Sequence, residues 1–261
     1  MTLWECAAIT HPGKVRSVNE DSIYSNPAQG VWAVADGMGG YAAGDVASRL
    51  IVQGLAELKY QDNLDAYVEA ITRIVDKVNR KLCFEITMRV DNDVIGSTVV
   101  IAVVLGARCV CLWAGDSRMY VLRDGVLYQV TKDHSLVQEL VDDGALSEEE
   151  AAIHPQSNVI TRAVGVDENM KLELVTFDLK ANDQLLLCSD GLYNEVDADQ
   201  IASVLTNVST RADLDDVAGC TDVAVPLLIS CESRVSSLLQ TALETAARDN
   251  ISINLIHIAA S

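Results

Sequence analysis

A chain of 261 residues, 49% of them hydrophobic, carries enough apolar surface for one large core or two small ones. Its net charge of −19, from 19 basic against 38 acidic residues, argues against nucleic-acid and anionic-membrane binding, which need a basic footprint. No apolar run reaches the ~18 residues of a membrane-spanning helix, and the opening Met1-Thr-Leu-Trp-Glu-Cys6 lacks the basic and apolar regions of a signal peptide. The cytosol is therefore the expected compartment. Seven cysteines without paired spacing are expected to be reduced there, with Cys83, Cys109, Cys111 and Cys188 as small core residues.

In chain order, residues 4–10 read as a first strand, followed by a polar loop to Asp21 and a short strand over 22–25. Residues 31–35, a run of apolar residues, read as a buried strand. Apolar positions at helical spacing then predict helices over 43–58 and 64–86, which should pack side by side on a sheet. Residues 97–105, 109–114, 119–123 and 126–130 read as a meander of strands, antiparallel because parallel neighbours need a long crossover. A short helix starts at Ser135, and residues 142–158 form an acidic excursion. Strands over 173–179 and 184–189, helices over 197–205 and 235–247, and a last strand over 251–259 complete the pattern. No repeat or linker divides it, so one domain spanning residues 1–261 is expected. The pattern is α+β with helices covering sheet faces.

The informative stretch is Val31-Trp-Ala-Val-Ala-Asp-Gly-Met-Gly-Gly40, an apolar strand that ends on a carboxylate and then three glycines in four residues. Asp36 would emerge at the rim of a sheet, and the Gly37 carbonyl could join it as an oxygen ligand for a hard divalent cation. Read alone, Asp36-Gly37 is equally a hairpin turn. The arrangement recurs, however. Asp116, Asp190 and Asp249 each adjoin an apolar, strand-like run, and Asn19-Glu20-Asp21 adds two more acids. Five such clusters suggest one carboxylate-lined metal site.

Together these residues resemble the metal-dependent protein serine/threonine phosphatases, the protein phosphatase 2C or PPM family, in its compact bacterial form. The resemblance rests on Arg16-Ser-Val-Asn-Glu-Asp21, Val34-Ala-Asp-Gly-Met-Gly-Gly40, Gly96-Ser-Thr98, Ala114-Gly-Asp-Ser-Arg118, Asp133-His-Ser135, Ile160-Thr-Arg-Ala-Val-Gly165, Ser189-Asp-Gly-Leu192 and Arg248-Asp-Asn-Ile251, in the family's order. It implies a four-layer α-β-β-α sandwich: two stacked antiparallel sheets flanked by helices. It implies a core of two Mn2+ or Mg2+ ions and a third, weaker one. Asp36 would bridge the core ions. Asp190 and Asp249 would complete the first ion's protein ligands. The Gly37 carbonyl and Glu20, directly or through water, would serve the second. Asp21 would orient metal-bound water, Asp116 with Asp190 would hold the third ion, and Arg16 would grip the substrate phosphate.

Phosphorylated proteins, themselves products of a serine/threonine kinase, are the implied substrates, with the chain a monomer that needs neither nucleic acid nor membrane. Two ions ~3.5–4 Å apart can share, acidify and aim one water at phosphorus, so no protein nucleophile is required.

The chain departs from the family in three places. Met38 stands where many eukaryotic members carry a histidine thought to protonate the leaving group, and methionine donates no proton. Ala247 precedes Arg248 where glycine is usual. Residues 207–232 make a longer connection than usual, expected to be a variable peripheral insertion, and 142–158 lies where the family carries a flap. His134 is expected to be structural. The rival readings are a catalytically inactive phosphoprotein-binding pseudophosphatase, against which the intact Asp36, Asp190 and Asp249 speak, and a metal-dependent nuclease, which the acidic balance disfavours.

Overall fold

The computed structural model describes residues 4–39, 43–86, 95–206, 208–209 and 227–259. Its strands are β1 Trp4–His11, β2 Asp21–Asn26, β3 Val31–Met38, β4 Gly96–Ser97, β5 Val99–Leu105, β6 Arg108–Ala114, β7 Arg118–Arg123, β8 Val126–Gln129, β9 Glu173–Asp178, β10 Gln184–Cys188, β11 Val208–Ser209, β12 Leu227–Leu228 and β13 Ile251–Ile258. The helices are α1 Gly44–Ala56, α2 Leu64–Lys81, α3 Leu136–Asp142, α4 Glu148–Ala152, α5 Asp190–Tyr193, α6 Ala198–Thr206 and α7 Cys231–Glu244.

Two antiparallel sheets carry the fold. One runs β1-β13-β10-β7-β8, and the other runs β2-β3-β5-β6-β9 with β4 joined to the end of β3. Alternation along the strands explains why the sheets stack. Trp32, Val34, Val100, Ala102, Cys109 and Cys111 of one sheet meet Met119, Val121, Leu185, Leu187 and Ile256 of the other in a dry middle layer. The opposite faces are apolar too. Val31, Ala33, Ile101 and Val103 pack under Ile51, Leu55, Tyr67, Ile71 and Val75 of α1 and α2. Leu186, Ile253 and Leu255 pack under Ile201, Leu205, Val235 and Leu238 of α6 and α7. The expected four-layer sandwich is therefore the observed one.

The helices follow their local chemistry. Asn63 caps α2 by accepting from the Ala66 N–H at 2.8 Å, Asp65 sits in its first turn and Arg80 and Lys81 in its last. The π-turn Leu82–Ile86 extends α2, so the predicted helix over 64–86 holds. Helix α4 lies inside the predicted excursion, built by a capping box between Ser147 and Glu150.

Three expectations change. The predicted meander is split: β5 pairs with β6 in one sheet, while β7 pairs with β8 and β10 in the other. The three residues Gly115-Asp116-Ser117 carry the chain across, because Gly115 adopts φ +109°, which a side chain would strain. Strand β3 does not turn at Asp36 but continues through Met38, paired with Gly96 and Ser97. Cys83 is half-buried, whereas Cys109, Cys111 and Cys188 are core residues as expected. In the predicted insertion, Val208–Ser209 pairs with Leu227–Leu228. Residues 207 and 210–226 lie outside the described residues, as does Gly40.

Candidate active site

All the acids singled out in the sequence lie at one end of the two sheets. Asp21 opens β2 directly opposite Asp36 on β3. Asp116 sits in the crossing from β6 to β7, Asp190 follows β10, and Asp249 precedes β13 by two residues. The ends meet because His11 pairs with Ile251, and Cys188 with both Ile253 and Arg118.

Like charges directly across a strand pair are destabilising, and here Asp116, Asp190 and Asp249 add to the repulsion. Burial, and then the fields of Asp21, Asp190, Asp116 and Asp249, hold the Asp36 carboxyl well above the usual range. Burial with Asp116, Asp249 and Asp21 pushes Asp190 to about 7. Burial raises Asp21 to about 6 against the bonds from Ser252 and Ser189, and burial with Asp133 raises Asp116 to about 6. Such a cluster is stable at neutral pH only with positive charge among it.

Individual contacts fix the acids. The Ser189 hydroxyl donates to Asp21 Oδ2 at 2.8 Å, while Asp21 Oδ1 is buried without a partner among the described residues. The Thr98 N–H donates to the Asp36 carbonyl, and Thr98 Oγ1 accepts from the Asp36 N–H. The Tyr193 hydroxyl donates to the Asp116 carbonyl at 3.0 Å. Asn250 braces the loop between β1 and β2, accepting from the Glu20 N–H and donating to the carbonyls of Pro12 and Val18. Helix α1 has no capping side chain of its own, and Glu20 Oε1 takes that place by accepting from the Gly44 N–H at 3.0 Å. Gly37 is required beside it. A Cβ there would come within 2.1 Å of the Gly44 carbonyl oxygen and 2.6 Å of that of Glu20. The glycine thus serves the approach of α1, where the sequence suggested a turn.

Arg16 is exposed and donates to Asp249 Oδ2 at 2.6 Å. Arg118 grips Asp133 through its Nε and Nη2 and lies 3.7 Å over the Tyr193 ring. His134 is structural, as expected. Its Nδ1 accepts from the Gly115 N–H, its Nε2 meets Arg162 and Glu173, and its ring stacks on Trp113. Burial and the Arg162 charge lower its pKa, which favours the neutral ring whose Nδ1 accepts. A cavity of about 660 Å³ opens from Asp116 and Asp190 toward the 142–158 excursion, with Lys132, Ser135, Ala151 and Ser157 on its walls.

Divalent metal fits this donor set by chemistry. The donors are oxygen alone, one buried carboxylate oxygen is orphaned, and burial together with neighbouring carboxylates raises four acids. Among the described residues no three candidate ligands close on one point as they stand, and Arg16 supplies the positive charge beside Asp249. Ser189 and Asn250 stand in the quoted sequence motifs without a role of their own. Each is a polar residue adjoining a flagged aspartate, which is the signal that marks them.

Comparison with known proteins agrees with this construction. Residues 13–219 match the family model for protein phosphatase 2C, and the chain belongs to that family. It is 35% identical over 215 residues to the serine/threonine phosphatase stp of Listeria monocytogenes, covering 80% of this chain and 85% of that protein. PppA of Pseudomonas aeruginosa, described as a key regulatory component of its T6SS, superposes with a TM-score of 0.83 at 37% identity, covering 98% of this chain and 97% of that one. The catalytic domain of the phosphatase PstP, solved in complex with two manganese ions, superposes with a TM-score of 0.81 at 30% identity over all of both chains. Asp249 lies beyond the span of the family model but within the structural superpositions.

Proposed function

We propose that this chain is a metal-dependent phosphatase that hydrolyses phosphoserine and phosphothreonine in proteins. The observation that carries the reading is the convergence of Asp21, Asp36, Asp116, Asp190 and Asp249 at one end of the stacked sheets, where the fields of the other four add to burial in raising the proton affinity of Asp36. Manganese or magnesium is the cofactor class, two ions in the core and a third held more weakly. When bound, such ions supply an acidified water and a counter-charge for the phosphoryl oxygens.

The residues have separate tasks. Asp36, which lies centrally, would help to hold both core ions. Asp190 and Asp249 would complete the ligands of the first, and the Gly37 carbonyl with Glu20 would serve the second. Asp21, held by Ser189, orients water. Asp116 and Asp190 flank the cavity where the third ion belongs. Arg16 exchanges Asp249 for the substrate phosphate, whose oxygens its planar fork fits. Met38 offers no proton and His134 has both nitrogens engaged, so no imidazole at these positions protonates the leaving oxygen.

The substrates on this reading are proteins phosphorylated by a serine/threonine kinase. The enzyme works as a cytosolic monomer whose residues 1–261 form one catalytic domain, with 142–158 as the flap over the cavity and 207–232 as a peripheral insertion. The complete acid set disfavours the pseudophosphatase reading. Release of phosphate from a phosphothreonine peptide tests the proposal. Turnover is expected only with added Mn2+ or Mg2+, and chelator-resistant turnover, or none with any divalent ion, would refute it.

A further inference from the structure

The second and third cavities lie on the α1/α2 layer, away from the acid rim. A groove of about 480 Å³ runs between the C-terminal half of α1 and α2. It adjoins a pocket of about 400 Å³ on α2 that shares Arg73, Lys77 and Lys81 with it. The groove has an apolar floor of Leu50, Gly54, Ala70, Ile74 and Val78. The spacing of Ala70, Ile74 and Val78 makes them one stripe of α2, and Arg73, Lys77 and Lys81 make a parallel stripe one residue round the helix. Lys59 closes the far side, Arg80 and Phe84 extend the near side, and Phe84 is 47% exposed.

Charge makes this face unusual. Five of the chain's 19 basic residues (Lys59, Arg73, Lys77, Arg80 and Lys81) line these two cavities, with Glu57 the sole acidic lining residue, in a protein of net charge −19. Glu69 engages Arg73 at 3.7 Å, and the other four form no ion pair among the described residues. Arg80 and Lys81 suit the C-terminus of α2, where cations are favourable. That explanation reaches neither Arg73 and Lys77 in mid-helix nor Lys59 on the connecting loop.

We infer that this face is a docking groove for an acidic amphipathic helix of a protein partner. Helix-in-groove recognition needs apolar anchors at i, i+4 and i+7 on an apolar floor, and the basic stripe and Lys59 would flank it with charge complementary to acidic residues beside those anchors. A nucleic acid would gain from the cations but not from the apolar floor, and the rest of the surface repels it. The groove uses the C-terminal half of α1, whereas Gly44 and Ser48 at its N-terminus hold Glu20. A partner seated there leaves the acid rim open. The inference does not depend on the catalytic reading, since it is tested by binding.

The probe is a labelled synthetic helix of about 18 residues with leucine at the i, i+4 and i+7 anchors and glutamate beside them, titrated onto the full chain by fluorescence anisotropy. One control replaces each glutamate by lysine, and another each leucine by serine. The leucine/glutamate helix is expected to bind, with affinity falling as salt rises and at least ~10-fold weaker for Lys77→Glu/Lys81→Glu and for both controls. Hydrolysis of p-nitrophenyl phosphate by the variant is expected to match wild type. If the reversal unfolds the chain, Lys77→Gln/Lys81→Gln replaces it with the same expected direction. The proposal is overturned if the leucine/glutamate helix does not bind, or if a control binds equally. It is overturned as well if single-stranded DNA binds as tightly with the same sensitivity, or if light scattering shows a dimer that the reversal dissolves.

Discussion

Arg16 makes one observed contact that its proposed task must break. Its ion pair with Asp249 joins two side chains that are 51% and 40% exposed, so it contributes at most about 1 kcal/mol to stability. Arg16→Ala is therefore expected to leave the thermal midpoint nearly unchanged. On the proposed role its effect belongs to substrate binding, because the guanidinium would meet the phosphate already in the ground state. KM for a phosphothreonine peptide should rise more than kcat falls, and an unchanged KM in steady-state kinetics would remove Arg16 from the phosphate site. At this scale much of the site was legible. Asp36, Asp190 and Asp249 each follow or precede an apolar run, and that placement is what puts them at a sheet end. Glu20 was not fully legible, because capping α1 depends on where Gly44 lies in space.

Among the elements, the contact between β3 and α1 controls the site. Gly37 allows the first turn of α1 to reach the strand, and backbone atoms rather than flexible side chains fill the space a Cβ would need. Gly37→Ala is expected to destabilise the fold by about 1–3 kcal/mol, the usual cost of overpacking, and to draw the Gly44 N–H away from Glu20. A denaturant melt checks the first effect and metal affinity the second; an unchanged midpoint would mean that α1 moves without cost. The helices were legible because their apolar periodicity is set by the layer they cover. The split between β6 and β7 was not. A three-residue link reads as a hairpin unless one knows that Gly115 turns out of the sheet, and both sheets offer the same apolar face.

For the whole molecule, the clustered acids make stability depend on pH and metal together. Asp21 and Asp116 at about 6 and Asp190 at about 7 lie above the 3.8 of an ordinary aspartate. A raised carboxylate pKa means that the folded chain holds protons the unfolded chain releases. Its stabilising contribution is full below the unfolded value and is lost as pH rises through the folded one. Metal-free protein is thus expected to melt at lower temperature near pH 8 than near pH 5 on account of this cluster. Saturating Mn2+ should reverse that trend, since ligation requires the deprotonated acids. Scanning calorimetry across pH with and without metal checks the sign, and parallel pH profiles would show that the acids do not act as one site. No helix among the described residues is long and apolar enough to cross a membrane.

Asp36 is the residue on which both the proposed metal site and the proposed hydrolysis rest. Titration calorimetry with Mn2+ on wild type and Asp36→Asn, paired with phosphate release from a phosphothreonine peptide, addresses both at once. The account predicts loss of the tight metal-binding events and a fall in turnover of at least ~10²-fold, with a metal-free melting temperature equal to or above wild type because the amide, unlike the carboxyl, cannot ionise among the neighbouring acids. Wild-type metal binding with wild-type turnover in Asp36→Asn would contradict it.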